Sequence, residues 1–311
     1  MKGLEICEKF FFEIGLPQIK KEIPEVLPFL AAGLFGGSQC HGNDDEVSRD
    51  HGWGPGFGVW LSKENKDLYG ESLQKTLDKL PKEYLNYKWS KGAQRACPIF
   101  EINSYIKQIT GYEDAPENDL EWLNIKEENL FEITHRPIFY DASGEVSRRF
   151  QKFATYPEDI WKMRLSETLS NLWLWSVKYI KRAVIRGDIT SARFNWGRFA
   201  EYAMKSGFLL SKKYAPYEKW LYTEFSKLPD FGKGIGTLLV EGLDNPMKLG
   251  GLASEIEKVY IEKVASLGFK PFDPPLPPDA YVAYEDNELL KYARGVQRSI
   301  KKSEIQSGSN H

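Results

Sequence analysis

Nothing in the 311 residues approaches the roughly 18 consecutive apolar residues of a membrane-spanning helix, so no helical span is expected. Cysteine is scarce. Cys7, Cys40 and Cys97 form no Cys-x-x-Cys pair, which argues against a disulfide framework and a thiolate zinc site and leaves reduced thiols in or near the core. There is little excess of either charge. A formal net charge of -2 provides no field that would concentrate nucleic acid or an anionic membrane, so any phosphate recognition has to be local. The opening stretch MKGLEICEKFFFEIG interleaves charges with apolar residues and lacks the core of a signal peptide, so a cytoplasmic location is expected.

What is present is a long, ordinary globular composition rich in aromatics, with a change of texture part-way along. Residues 4–14 carry apolar side chains at helical spacing, which Gly15-Leu16-Pro17 is expected to stop, and a second short helix is expected before Phe29. The apolar run Phe29-Leu-Ala-Ala-Gly-Leu-Phe35 reads as a buried strand delivering Gly36-Gly37-Ser38. Further strands are expected at residues 57–61, 98–102 and 137–140, with helices at 63–80 and 104–111 and a turn at Asp141-Ala-Ser-Gly144. From Pro157 the pattern is almost all helix: a long run to Gly187, then residues 189–210, 218–228 and 245–267. FKPFDPPLPPDAY reads as an extended strap, followed by a last helix at 287–301 and a disordered polar end.

These elements amount to an α+β chain. Its expected parts are a mixed sheet with flanking helices over residues 1–150, an α-helical bundle over 151–275, and a strap, terminal helix and tail over 276–311.

The chemistry-bearing stretch is GLFGGSQCHGNDDEVSRDHGWGPGFGVWL, residues 33–61. It joins a Gly-Gly-Ser turn to Asp44, Asp45, Glu46 and Asp50, and Glu101 follows later in Ile-Phe-Glu-Ile. An apolar strand, Gly37-Ser38, a spacer, an acid and then a third carboxylate between apolar neighbours resembles the DNA polymerase beta type of nucleotidyltransferase. The segments AAGLFGGS, DDEVSRDHGWGP, FYDASGE, ATYPEDIW and KKYAPYEKWL further resemble the domain-of-unknown-function 4037 family, a branch of that superfamily with a helical C-terminal half. The resemblance covers roughly residues 3–270.

The resemblance implies transfer of a nucleoside monophosphate from an NTP, with ATP the expected donor, to a hydroxyl of a small molecule. Two Mg2+ (or Mn2+) ions held by carboxylates would stabilise the attacking and leaving oxygens. On this reading Gly37 and Ser38 approach the phosphates, Asp50 and Glu101 are catalytic and ligate metal, and Asp45 is a further ligand. Lys212, Lys213 and Lys219 would contact phosphate, with Tyr214 or Tyr217 beside the base or ribose. In place of the superfamily's second acid stands Gly52, so Asp44, Asp45 or Glu46 compensates, or the chain binds a nucleotide with reduced or lost catalysis. Transfer to tRNA or protein is a further alternative, although no basic groove with interleaved aromatics supports RNA specifically.

Several features have plainer readings. Asp44-Asp45-Glu46 fits a solvated or helix-capping cluster. His41, His51 and Asp50 invite a transition-metal reading but lack a third fixed ligand, and hydrogen-bonding histidines serve as well. Gly52-Trp-Gly-Pro-Gly-Phe-Gly58 precedes a strand and so is no dinucleotide fingerprint, while Gly232-Lys-Gly-Ile-Gly236 reads as an interhelix turn. The tryptophans of residues 161–175 fit a buried stripe.

Overall fold

The computed structural model describes residues 1–49, 52–90, 95–273 and 287–308. It is an α+β protein with two compact units: Met1–Glu117 with Asn124–Ala154, and Asn118–Leu123 with Thr155–His311. Asp50, His51, most of the proline-rich segment and the last three residues lie outside the described residues. No described helix is long and apolar enough to cross a membrane.

In the first unit, α1 (Gly3–Phe10) runs through a π turn at Phe11–Gly15 straight into α2 (Leu16–Glu22). Gly15-Leu16-Pro17 therefore does not end the helix. The Leu16 N–H reaches back to the Phe11 carbonyl, one residue further than an α-helix would, and Pro17 falls in a first turn where no N–H is needed. Gly15 is required here because a Cβ would lie 2.6 Å from the Phe57 ring.

The strands are β1 (Ala31–Gly33), β2 (Gly58–Leu61), the small hairpin β3 (Glu83–Tyr84) with β4 (Tyr87–Lys88), β5 (Ile99–Glu101) and β6 (Ile138–Asp141). The main sheet has the order β5-β2-β1-β6, with β1 antiparallel to both neighbours and β5 parallel to β2. All four residues of β2 are buried, so the strand is covered on both faces. Around the sheet lie α3 (Lys63–Leu77), α4 (Ile102–Thr110), α5 (Glu127–Thr134) and α6 (Glu145–Gln151). The core is Phe10, Phe11, Ile19, Leu30, Phe57 and Val59, joined by Leu73 and Leu77 of α3.

The second unit is helical. α7 (Glu158–Trp173) continues through a π turn at Leu174–Ile180 into α8 (Lys181–Ile185), followed by α9 (Ile189–Leu210), α10 (Glu218–Phe225), α11 (Gly232–Asp244) and α12 (Leu249–Ser266). Trp161, Leu165, Leu169 and Leu172 form the buried stripe expected of α7. The 232–236 glycine run is the start of α11 and not a turn. A Cβ on Gly232 would sit 2.4 Å from the Ser226 carbonyl and one on Gly242 2.3 Å from the Trp196 ring, so these glycines serve packing.

The chain continues with α13 (Glu288–Arg298) and a short α14 (Ser303–Gly308), where the sequence reads as disordered. Two contacts hold this end: Ile305 is fully buried, and the Asp159 carboxylate accepts the amides of Lys301 and Lys302 at 3.1 and 3.0 Å.

Candidate functional site

The turn after β1 is made by glycine. Gly37 has φ +83° and Gly42 φ +66°, which bracket a short 3-10 helix at Ser38–His41. Leu34 and Phe35 carry the chain out of the sheet, and the Leu34 N–H bonds to the Pro137 carbonyl at 3.0 Å. Among the described residues the amides of Gly36 and Gly37 and the Ser38 hydroxyl make no hydrogen bond, so three donors stand ready for an anion. The loop rests on Gly52: Gln39 Nε2 donates to the Gly52 carbonyl at 3.1 Å. Gly52 has φ +62°, and a Cβ there would meet nothing within 4 Å.

The acids of the loop divide by role. The Asp44 side chain is fully buried; Oδ2 accepts the Gly3 amide at 2.8 Å and the Trp53 indole N–H at 2.9 Å, while Lys2 Nζ approaches Oδ1 to 3.9 Å. Asp44 is thereby committed to holding the start of α1, where a negative charge also complements the helix dipole. Asp45 is exposed, and its Oδ1 accepts the Ser48 amide at 2.8 Å.

Glu101 is the N-cap of α4. Its carboxylate accepts the Asn103 amide at 2.8 Å, the Ser104 amide at 2.7 Å and the Ser104 hydroxyl at 2.5 Å. Register then sets its level in the sheet. Gly33 stands opposite Gly58, whereas Glu101 stands opposite Leu61, three residues farther along β2 and so about 10 Å from the end that carries the glycine turn.

Partial burial pushes the Glu101 carboxyl up, but hydrogen bonds from Ser104 and Asn103 outweigh this and hold it below the ordinary range. The folded state thus binds this proton more weakly than the unfolded chain, and the cap's stabilisation is fully present above the unfolded value of about 4.3. It is lost as pH falls through the lower folded value. Glu101→Ala is expected to cost about 1 kcal/mol at pH 7, a difference that shrinks in acid when denaturant unfolding is measured against pH.

Arg136 is a residue that sequence reasoning misses. Its side chain is 1% exposed, pairs with Glu132 and lies 5.2 Å from the Tyr105 ring centroid. Nε and Nη1 have no partner among the described residues. A sequence signal exists: His135-Arg136-Pro137 leads directly into an apolar strand, where an arginine has to be paired. The three cysteines are buried and free, with burial pushing their thiols up to about 12, 11 and 12 for Cys7, Cys40 and Cys97. They are neutral packing groups and poor nucleophiles.

In the second unit, a cavity of about 260 Å³ is lined by Thr155, Tyr156, Glu158, Trp161 and Leu209 and, from the turn after α9, by Lys212, Lys213 and Tyr214. Pro157 starts α7 and sets Glu158 and Trp161 in its first turn, and the Trp161 indole N–H donates to the Leu209 carbonyl at 2.7 Å. After α9 the chain closes with Lys212 N–H to Leu209 O and Lys213 N–H to Phe208 O, both 3.0 Å, a turn that usually places glycine where Lys212 stands at φ +53°. Holding a lysine there costs about 1–2 kcal/mol.

The Lys212 ammonium lies 3.0 Å from the Trp161 ring centroid and 3.0 Å from Glu158 Oε2. Lys213 is exposed, and its ammonium has no partner among the described residues. Tyr156 and Tyr214 meet edge to face at 4.8 Å. Lys219, which lies 5.0 Å from the Trp220 ring, and the exposed Tyr217 are not part of this lining.

The family model of the domain of unknown function DUF4037 matches residues 122–221, and every residue of the cavity lies within that span. Over residues 122–221 the chain is similar to the DUF4037 family. A comparison with curated proteins finds no match. The DUF4037 segment also contains Arg136 and all four of Lys212, Lys213, Tyr217 and Lys219, whereas the glycine turn, Asp45, Asp50 and Glu101 precede it.

A magnesium site needs converging oxygen ligands. Of the implied ligands, Asp45 and Glu101 are described and both serve as caps, while Asp50 lies outside the described residues. Among the described residues no three His, Cys, Asp or Glu side chains form a cation-binding group. The two described carboxylates do not make up such a site.

Proposed function

We propose that this protein binds a nucleoside triphosphate, ATP being the expected donor, and transfers its nucleoside monophosphate to a hydroxyl of a small molecule. The observation that carries the binding part is the DUF4037 cavity: two lysines and three aromatic rings around about 260 Å³. Ammonium groups suit phosphate oxygens, and Tyr156, Trp161 and Tyr214 offer faces or edges to a planar base. The volume lies below the roughly 300–1,000 Å³ of drug-sized sites, so it suits one part of a nucleotide and not the whole. Support for transfer comes from the resemblance around Ser38 and Asp50 and from the free donors of the glycine turn.

A second reading is a nucleotide-binding regulatory protein with reduced chemistry. It is favoured by Gly52, which has no side chain where the superfamily has an acid, and by Glu101, whose carboxylate is engaged as a helix cap. Thermal shift with ATP and Mg2+, together with a pyrophosphate-release assay, separates the two. Transfer predicts that ATP stabilises wild type and Asp50→Asn alike, while pyrophosphate appears only with wild type. A shift without release in either protein favours the regulatory reading. No shift with any NTP overturns both, and unchanged release by Asp50→Asn removes the catalytic role.

A further inference from the structure

The first unit contains a second cavity, of about 420 Å³, that the nucleotide reading does not use. Its floor is apolar: Phe10, Leu77, Leu80 and Cys97 are each at most 9% exposed and face the space. Trp89 forms a half-buried wall and stacks at 6.0 Å on Phe35. The walls are brought together by glycine. At Gly54, φ is +118° and a Cβ would lie 2.5 Å from the Lys88 carbonyl; at Gly56 it would lie 2.4 Å from the Ala96 carbonyl and 2.7 Å from the Trp89 ring. Any side chain at either position would push Lys88, Trp89 or Ala96 away from Pro55.

The polar lining is unequal in sign. Among the described residues, Lys82, Lys88 and Arg95 line the cavity with one carboxylate, Asp78. Arg95 and Asp78 are 3.6 Å apart and both more than half exposed, so that pair is weak. Lys88 pairs with Glu83 at 3.2 Å in the same setting. Lys82 is exposed and has no partner among the described residues. A deep apolar floor below an excess of accessible cations matches one ligand chemistry, an apolar tail ending in a negative charge. The neutral thiol of Cys97 adds to the apolar wall and not to the charge.

We propose that this cavity binds a medium-chain carboxylate, with the tail on Phe10, Leu77, Leu80 and Trp89 and the head group at Lys82 and Arg95. The volume lies within the range of small-molecule sites, and mostly apolar walls with a few placed polar groups are their usual make-up. Binding replaces the water over the floor and gives Lys82 a partner, while the head group stays at the exposed rim where its desolvation is small. The proposal stands apart from nucleotide binding and survives the failure of that reading.

The test compares decanoate, decanol and decyltrimethylammonium by isothermal titration calorimetry below their aggregation concentrations. Wild type and Lys82→Glu/Arg95→Glu are used, two substitutions at exposed positions that leave the core untouched. Decanoate is expected to bind wild type at least tenfold more tightly than the other two and to lose at least tenfold on charge reversal. Equal binding of the three amphiphiles, no binding of decanoate, or affinity insensitive to charge reversal would each overturn the proposal.

Discussion

Asp44→Ala is expected to lower the unfolding free energy by about 3–5 kcal/mol, the range for removing one partner from a buried charged network. The substitution leaves the Gly3 amide and the Trp53 indole N–H without the acceptor they share at 2.8 and 2.9 Å. Each orphaned buried donor costs about 1–3 kcal/mol. It also removes a charge from the N-terminus of α1 and loosens Trp53, whose backbone is tied to Ser90 and whose ring lies 4.5 Å from the Arg49 guanidinium. Asp44→Asn keeps one acceptor oxygen and is expected to lose less. Urea unfolding of both variants checks this, and an Asp44→Ala loss below about 1 kcal/mol, the size of a surface effect, would show that the network carries little.

Lys212→Gly combined with Lys213→Ala is expected to weaken ATP binding at least 100-fold while changing stability little. Each charge-assisted hydrogen bond to phosphate contributes about 1.5–3 kcal/mol, so losing two removes at least two orders of magnitude in affinity. Stability behaves differently. Glycine at position 212 relieves the left-handed conformation, a gain of about 1 kcal/mol that offsets the lost contacts with Glu158 and Trp161, themselves about 1 kcal/mol. A lysine kept at φ +53° for structural reasons would give the opposite pair of results. Calorimetric titration with ATP and thermal denaturation of the same variant distinguish the two.

Much of the fold is legible in the sequence because apolar runs and punctuation coincide with the elements. The run before Gly36 is a strand, and Ile189–Leu210 is a helix with the expected ends. What escapes depends on partners that arrive from elsewhere. Gly15 and Pro17 read as a stop, yet the backbone absorbs them in a π turn that Phe57 packs against. The glycines of residues 232–236 read as a turn because nothing local reveals that the Ser226 carbonyl closes on Gly232 at the start of α11.

The candidate site is legible to the same degree. Asp44 and Asp45 look equivalent in sequence, and only the approach of Gly3 and Trp53 separates a buried network from an exposed cap. Glu101 falls on a strand as its apolar neighbours imply, but its level in the sheet is set by the pairing of Val59 with Ile99, which no local pattern records. Lysines 212 and 213 share one cavity because a single turn carries both, whereas Lys219 lies in the following helix.

That turn has a consequence for the lifetime of the protein. Lys212 and Lys213 are adjacent, exposed and placed where α9 has already ended, and an exposed turn outside regular structure is where proteases nick a folded chain. A ligand whose phosphates occupy both ammonium groups also shields the bond between them. In the proposed complex, the rate at which a trypsin-like protease cuts the chain follows the fraction of time the cavity stands empty, so that occupancy and survival rise together.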